Sequence, residues 1–321
     1  MVQTDTADPS PGEQPEAELV LKGVTKQYGS FTAVNDLSFS VRPGEIYGFL
    51  GQNGAGKTTT LRMIMDIVPP TGGEISVLGS TRPRSVKRRV GYLPEERGLY
   101  RKMKCRDTIA YFARLKGVPG HLARRRADEL LDRFGLGQFA KAKIETLSKG
   151  MAQKVQLLSC IAHEPELLIL DEPFSGLDPV NQQVLEDMIR NLREEGRTII
   201  FSTHVMEHAE RLCDRFLMIR KGTKVFEGTL EDARATDEPT LILQTPDDPL
   251  PLMEVPGIID IMAQDQGRYK LVVTDKVDRQ EILKACIREN IRVEFFGRAH
   301  SSLHDIFFRL AGADPISGQA T

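Results

Sequence analysis

Residues 45–59 read Glu45-Ile46-Tyr47-Gly48-Phe49-Leu50-Gly51-Gln52-Asn53-Gly54-Ala55-Gly56-Lys57-Thr58-Thr59. The apolar run up to Leu50 is long enough for one buried strand. Gly51 to Thr58 then fits the spacing G-x-x-x-x-G-K-[ST]. From Thr58 onward Leu61, Ile64, Met65 and Val68 recur at steps of three and four, which predicts a helix. A glycine-rich loop between a strand and a helix is the context this motif needs.

The residue types state the chemistry. Gly51, Gly54 and Gly56 lack a Cβ, so the backbone can take positive φ and approach an anion closely. The N–H groups of such a loop, ending at a helix N-terminus, form a nest for phosphate oxygens. Lys57 adds a full positive charge at the β- and γ-phosphates, and the Thr58 hydroxyl can ligate Mg²⁺ there. The bland alternative is a glycine turn before a core helix. The joint agreement of strand, loop, Lys-Thr pair and helix argues against it.

Composition narrows the setting. A chain of 321 residues allows about two domains. A net charge of −2 carries no global pull toward nucleic acid or acidic lipid. Cys105, Cys160, Cys213 and Cys286 stand far apart, which fits a reducing cytoplasm better than a disulfide framework or zinc site. No apolar run reaches ~18 residues, so no membrane span is expected. The first 18 residues lack Lys, Arg and an apolar block, and read as a disordered acidic tail, not a signal peptide.

Around the loop the text alternates. Leu19–Gly23 and Phe31–Val41 predict an opening β layer with Tyr28 between them, an aromatic face suited to a purine ring or simply to a core. Strands are expected at Glu74–Leu78 and from Val90, the latter running into the polar loop Pro94-Glu95-Glu96. Residues 108–139 are helical and charged, broken at Gly117–Gly120, and predict an inserted helical subdomain over about 100–160. Its Arg124-Arg125-Arg126 run reads as a solvated face. Ser148 predicts the N-cap of a helix carrying Val155, Leu157, Leu158 and Ile161.

Leu167-Leu168-Ile169-Leu170-Asp171-Glu172 is an all-apolar strand ending in two carboxylates. Such a strand suits the centre of a parallel sheet, and ligands bind at its C-terminal end. Asp171 suits the metal side of a phosphate site, and Glu172 suits polarising a water for attack on the γ-phosphate. The alternative is a pair of helix caps. His204 follows another apolar strand, Thr198–Ser202, where it is either structural or a sensor of the γ-phosphate. A hairpin is expected around Lys221-Gly222, and a linker near Ala235–Pro239. Beyond it a small α+β domain is expected over 240–312. It has strands at Thr240–Gln244, Tyr269–Val273 and Arg292–Phe296, a helix at Val277–Asn290 and a last amphipathic helix at Ser301–Ala311. Residues 313–321 read as a tail.

Taken together, these motifs resemble the ATP-binding cassette family, the nucleotide-binding subunits of ABC transporters, over residues 19–232. Gly51–Thr58 is similar to its Walker A and Leu167–Glu172 to its Walker B with the catalytic glutamate. Leu147–Met151 is similar to its signature, Ser175–Asp178 to its D-loop, and His204 to its switch histidine. The resemblance implies an α/β fold: a β layer, a RecA-like parallel core and a helical insertion, here followed by the small α+β domain. It implies an ATPase with ATP and Mg²⁺ as cofactors. ATP would be held by Tyr28, Gly51, Asn53, Gly54, Ala55, Gly56, Lys57, Thr58 and Thr59, and by Ser148 and Gly150 of a second subunit. Mg²⁺ would be held by Thr58, Glu95 and Asp171, with Glu172 and His204 catalytic.

One phosphate loop and one signature per chain imply a homodimer that closes on two ATPs. The implied partner is an integral membrane permease, with the subunit cytoplasmic and peripheral on the inner face of the membrane. The loop sequence GYLPEERGLY and the extra domain resemble a branch of bacterial single-cassette subunits, mostly exporters. Glu95 departs from the family's usual Gln, and Lys149 and Met151 depart from its signature. The alternative is a soluble ABC ATPase acting on nucleic acid or ribosomes. It is disfavoured because no sustained heptad and no second cassette are present, so no nucleic acid is expected.

Overall fold

The computed structural model describes residues 17–96, 98–236, 240–274, 276–298 and 302–310. The acidic tail up to residue 16, the C-terminal tail, Arg97 and residues 237–239 of the expected linker lie outside the described residues. Two compact units divide the chain between Thr229 and Leu230.

The first unit opens with β1 (Leu19–Tyr28), β2 (Phe31–Val41) and β3 (Ile46–Leu50), followed by α1 (Lys57–Ile64), β4 (Gly72–Val77), the single turn α2 (Pro83–Val86) and β5 (Val90–Leu93). Helices α3 (Cys105–Leu115), α4 (Gly120–Arg133) and α5 (Lys149–Ile161) interrupt the strands. The core resumes with β6 (Leu167–Asp171), α6 (Pro179–Glu194), β7 (Thr198–Thr203), α7 (Met206–Leu212), β8 (Arg215–Arg220) and β9 (Thr223–Gly228).

Two sheets result. An antiparallel sheet has the order β2-β1-β4. A six-stranded sheet has the order β5-β6-β7-β3-β8-β9, parallel except for the hairpin strand β9. The apolar strands at its centre are buried on both faces, as their lack of polar alternation predicts. Leu167 and Ile169 pack with Leu21, Leu37, Tyr47, Phe49 and Leu61 between the two sheets. Leu168 and Leu170, pointing the other way, pack with Phe201 and the helices. The helical insertion is closed by small residues: Ala110, Ala113, Ala123 and Ala127 are all buried there.

Capping explains several boundaries. Ser148 caps α5, its hydroxyl accepting from Met151 N at 3.2 Å. Asp178 caps α6, accepting from Asn181 N at 3.0 Å, with Pro179 at the first helical position. At the far end of α5, the His163 ring donates from Nε2 to Val90 O at 3.2 Å. Among the described residues no helix is long and apolar enough to cross a membrane.

The second unit begins earlier than the composition suggests. Helix α8 (Leu230–Ala235) belongs to it, because it packs on α10 (Leu303–Leu310). Between them a four-stranded antiparallel sheet has the order β11-β12-β10-β13, with β10 (Thr240–Gln244), β11 (Ile258–Ala263), β12 (Arg268–Val273) and β13 (Phe295–Arg298). Helix α9 (Arg279–Arg288) covers one face through Ile282, Ala285 and Cys286. Strand β11 was not expected, and the last strand starts at Phe295 rather than Arg292. In α10 the expected stripe buries Leu303, Ile306 and Phe307.

His163 generates a pH prediction. Burial, and then the charge of Lys116, push its pKa down to about 4. The folded chain therefore prefers the neutral ring, while the unfolded chain takes up a proton near the ordinary value. Stability from this group is complete above pH ~6.5 and is lost as pH falls toward 4. The His163→Gln variant should show a shallower fall of Tm between those pH values than the parent protein, read by thermal denaturation.

Candidate functional site

The site lies at the C-terminal ends of β3, β6 and β7, where strand register sets Leu50 opposite Thr203 and Asp171 opposite Ser202. After β3 the chain enters the loop Gly51–Gly56. Gly54 (φ 79) and Gly56 (φ 106) are in the left-handed region. A Cβ on Gly56 would meet Ala33 O at 2.6 Å, so only glycine lets the loop lie against β2. Helix α1 then starts with no side-chain cap and no acidic residue in its first turn. Its leading N–H groups and dipole are thus directed at the loop, an arrangement that binds anions.

Lys57 is buried, and its ammonium donates to Gly51 O at 2.7 Å and Gln52 O at 3.3 Å. It also pairs with Glu172 Oε1 at 3.2 Å, an ion pair without hydrogen-bond alignment, since that oxygen has no hydrogen-bond partner. The other oxygen of Glu172 accepts from His204 Nδ1 at 3.0 Å. A carboxylate only accepts, so His204 carries its proton on Nδ1. Glu172 itself sits at φ 46, a strained conformation for a non-glycine residue.

Beside this lies a second set of bonds. Thr58 Oγ1 donates to Asp171 Oδ1 at 3.3 Å, and Ser202 Oγ donates to the same oxygen at 2.6 Å. Ser202 in turn accepts from Glu172 N at 3.0 Å. Burial pushes the Asp171 carboxyl up, while the Ser202 and Thr58 hydrogen bonds pull it down. Asp171 Oδ2 is buried with no hydrogen-bond partner. A buried orphan carboxylate oxygen beside a threonine hydroxyl is a hard donor set that fits Mg²⁺. Among the described residues no group of three His, Cys, Asp or Glu could hold a metal alone, so phosphate oxygens and water would have to complete the shell.

The other expected residues divide. Asn53, Gly54, Ala55 and Thr59 lie in the loop and the first turn of α1. Tyr28 is half-exposed at the β1–β2 hairpin, paired with Phe31, and Lys26 Nζ lies 4.9 Å over its ring. Glu95 is exposed and lines a cleft of about 580 Å³ with Glu96, Lys149, Gln153, Glu172 and Ser175. Ser148 and Gly150 are not in the bonded network. Ser148 is spent on its cap, and a Cβ on Gly150 would meet the Asn181 side chain at 2.4 Å. Two contributors were not foreseen. Ser202 links the Asp171 carboxylate to the backbone N–H of Glu172, and Gln153 Nε2 donates to Pro173 O at 3.0 Å, holding the turn after Glu172. A lone serine in the apolar strand text TIIFS was the available signal for the first.

Comparisons with known proteins give the family. A family described as ABC transporter matches residues 34–175. A second, described as ATP-binding protein DrrA1-3-like, C-terminal domain, matches residues 228–311. The uncharacterised ABC transporter ATP-binding protein YhaQ of Bacillus subtilis (strain 168) is 40% identical, over 92% of this chain and 99% of its own length. The Nod factor export ATP-binding protein I of Burkholderia pseudomallei (strain 1710b) is 33% identical, over 94% and 99%. A solved ATP-binding subunit of an ABC transporter superposes with a TM-score of 0.62 at 34% identity, covering 68% of this chain and 92% of that one.

Ser202 is the test of the network. Ser202→Ala leaves Glu172 N and Asp171 Oδ1 each short of a buried partner. That should cost about 1–3 kcal/mol in chemical denaturation. ATPase activity should fall with it, whereas Ser202→Thr, which keeps the hydroxyl, should retain most of both.

Proposed function

Because this chain belongs to the ABC transporter family, as an ATP-binding subunit that hydrolyses ATP, we propose that it drives export through a separate membrane permease by ATP-dependent closure of a homodimer. The observation that carries the reading is the network joining Lys57, Glu172 and His204 on one side and Thr58, Asp171 and Ser202 on the other. On this reading the loop N–H groups and Lys57 bind the β- and γ-phosphates, and Tyr28 stacks on the adenine. Mg²⁺, when bound by Thr58, Asp171 and Glu95, neutralises charge on the β- and γ-phosphates. Glu172 accepts the proton of the attacking water, and His204 orients Glu172 and senses the γ-phosphate.

Dimer closure is supported by how the signature is placed. Ser148 is exposed at the start of α5 and stands outside the chain's own phosphate network, so a second chain can present it to a bound ATP. The permease is supported by a mostly apolar groove of about 270 Å³ lined by Tyr92, Pro94, Leu99, Phe112, Leu115 and Gln156. Gln156 Nε2 also donates to Pro94 O at 3.3 Å, tying α5 to the loop that carries Glu95. A permease helix in this groove would feel motion at the cleft, and the subunit would sit on the inner face of the membrane. Export is supported by the relative named for Nod factor export.

Glu172→Gln tests the reading. The amide cannot act as a base, so turnover should fall by roughly 10²–10⁴ with ATP binding retained. The variant should run as an ATP-dependent dimer in size-exclusion chromatography and draw a multi-span protein from detergent-solubilised membranes. Near-normal hydrolysis removes Glu172 from the role; recovery of nucleic acid in place of a membrane protein removes the permease.

Glu95 supplies a separate expectation. A carboxylate near the γ-phosphate is unfavourable until a metal screens it. Hydrolysis should therefore depend more steeply on Mg²⁺ in the parent protein than in Glu95→Gln. Superimposable Mg²⁺ titrations at fixed ATP would leave Glu95 without a metal role.

A further inference from the structure

Behind the loop that starts at Glu172 lies an ionic cluster the mechanism above does not use. Glu186, on α6, is 1% exposed. Its Oε1 accepts from His208 Nδ1 at 3.1 Å and forms an ion pair with Arg211 Nη2 at 2.9 Å. Its Oε2 has no hydrogen-bond partner, and the nearest cation, Arg190 Nη2, stands 3.8 Å away. Since the carboxylate can only accept, the His208 proton is on Nδ1. The approach of Arg211 Nη2 to that nitrogen at 3.3 Å is then a packing contact.

The grip on Nδ1 sets the plane of the His208 ring. That ring stacks on Phe174, with centroids 4.2 Å apart and planes 22° from parallel. Phe174 is buried two residues after Glu172, with its edge against Phe201 of β7. A circuit of contacts closes from these parts. The loop from Glu172 ends at Asp178, the cap of α6. Helix α6 carries Glu186, and Glu186 holds His208 on α7, which starts two residues after His204. A pair of apolar residues could fill this space with less desolvation cost, so what the ionic pair supplies is orientation.

We propose that Glu186 and His208 are positioning residues for ATP hydrolysis. By fixing the Phe174 ring they hold the strained Glu172 against His204 at 3.0 Å. The inference rests on the reading of Glu172 as the base. Small misplacements of a reacting group cost up to ~10²-fold in rate, so loss of this support should be visible in kcat.

The test compares steady-state kinetics of the full-length protein in four variants. His208→Phe keeps an aromatic ring against Phe174 but removes the Nδ1 donor, and Glu186→Leu removes the acceptor. Each should lower kcat by ~10-fold while KM for ATP and equilibrium ATP binding stay within about twofold. Glu186→Gln should recover most of kcat, because its amide oxygen can still accept from His208. Should Glu186→Leu fail to fold, His208→Phe alone decides the matter. A parent-like kcat in His208→Phe, with only Tm lowered, reduces the cluster to a structural ion pair and overturns the proposal. The fourth variant, Glu172→Gln, separates the two levels. If it still turns over, the base assignment falls and this inference with it; if it is inactive while His208→Phe keeps the parent's kcat, only this inference falls.

Discussion

The register of three parallel strands governs everything at the nucleotide end of the molecule. Strands β3, β7 and β6 are apolar on both faces, so hydrophobic pattern alone does not choose among their alignments. A slip of one residue would exchange one apolar face for another at little cost in burial. The polar ends choose. With Asp171 opposite Ser202, the serine hydroxyl donates to one oxygen of the buried carboxylate and accepts from the amide of Glu172. In a shifted alignment Asp171 Oδ1 and the amide of Glu172 would lose this shared partner, which costs more than a lost apolar contact. The residues of the site are thus part of what specifies the sheet that carries them.

The same residues are where the fold is least comfortable. Glu172 is held at positive φ, Asp171 Oδ2 is buried without a hydrogen-bond partner, and burial raises the Asp171 carboxyl. Strain of this kind costs on the order of 1–3 kcal/mol per residue. It persists because the surroundings are over-determined: two apolar layers grip β6 from opposite faces, and Gln153 and Phe174 pin the turn that follows. Stability is supplied by the core and spent at the strand ends, the usual relation between a scaffold and a site.

What was legible in the text was local. The glycine loop, the Asp-Glu pair after an apolar run and the cap at Ser148 each signal through neighbours within a few residues, and each appears where its spacing predicts. Two kinds of feature stayed hidden. Strand β11 is an edge strand with little burial beyond Ile258, so it lacks the alternation that marks a half-buried strand. The break near Ala235 is a real change of composition, but α8 lies before it and packs with α10, a partner almost seventy residues away. Ser202 and the Glu186–His208 pair were hidden for the same reason. Their meaning lies in register and in a contact between helices, neither of which a single stretch of sequence displays.

The tether on Lys57 has a bearing on which nucleotides the chain can tell apart. The ammonium is held by two loop carbonyls and by Glu172. If Lys57 meets the phosphates as proposed, a nucleotide that stops at its α-phosphate would leave that arrangement intact, whereas one that carries two more phosphates would reach the ammonium and offset the pair it breaks. The tether would then act as a threshold on chain length of the phosphate, discriminating by what must be undone as much as by what is formed. On the proposed reading, the nucleotide that crosses the threshold also relieves the glutamate of its lysine, so the base is unmasked only when there is something to cleave.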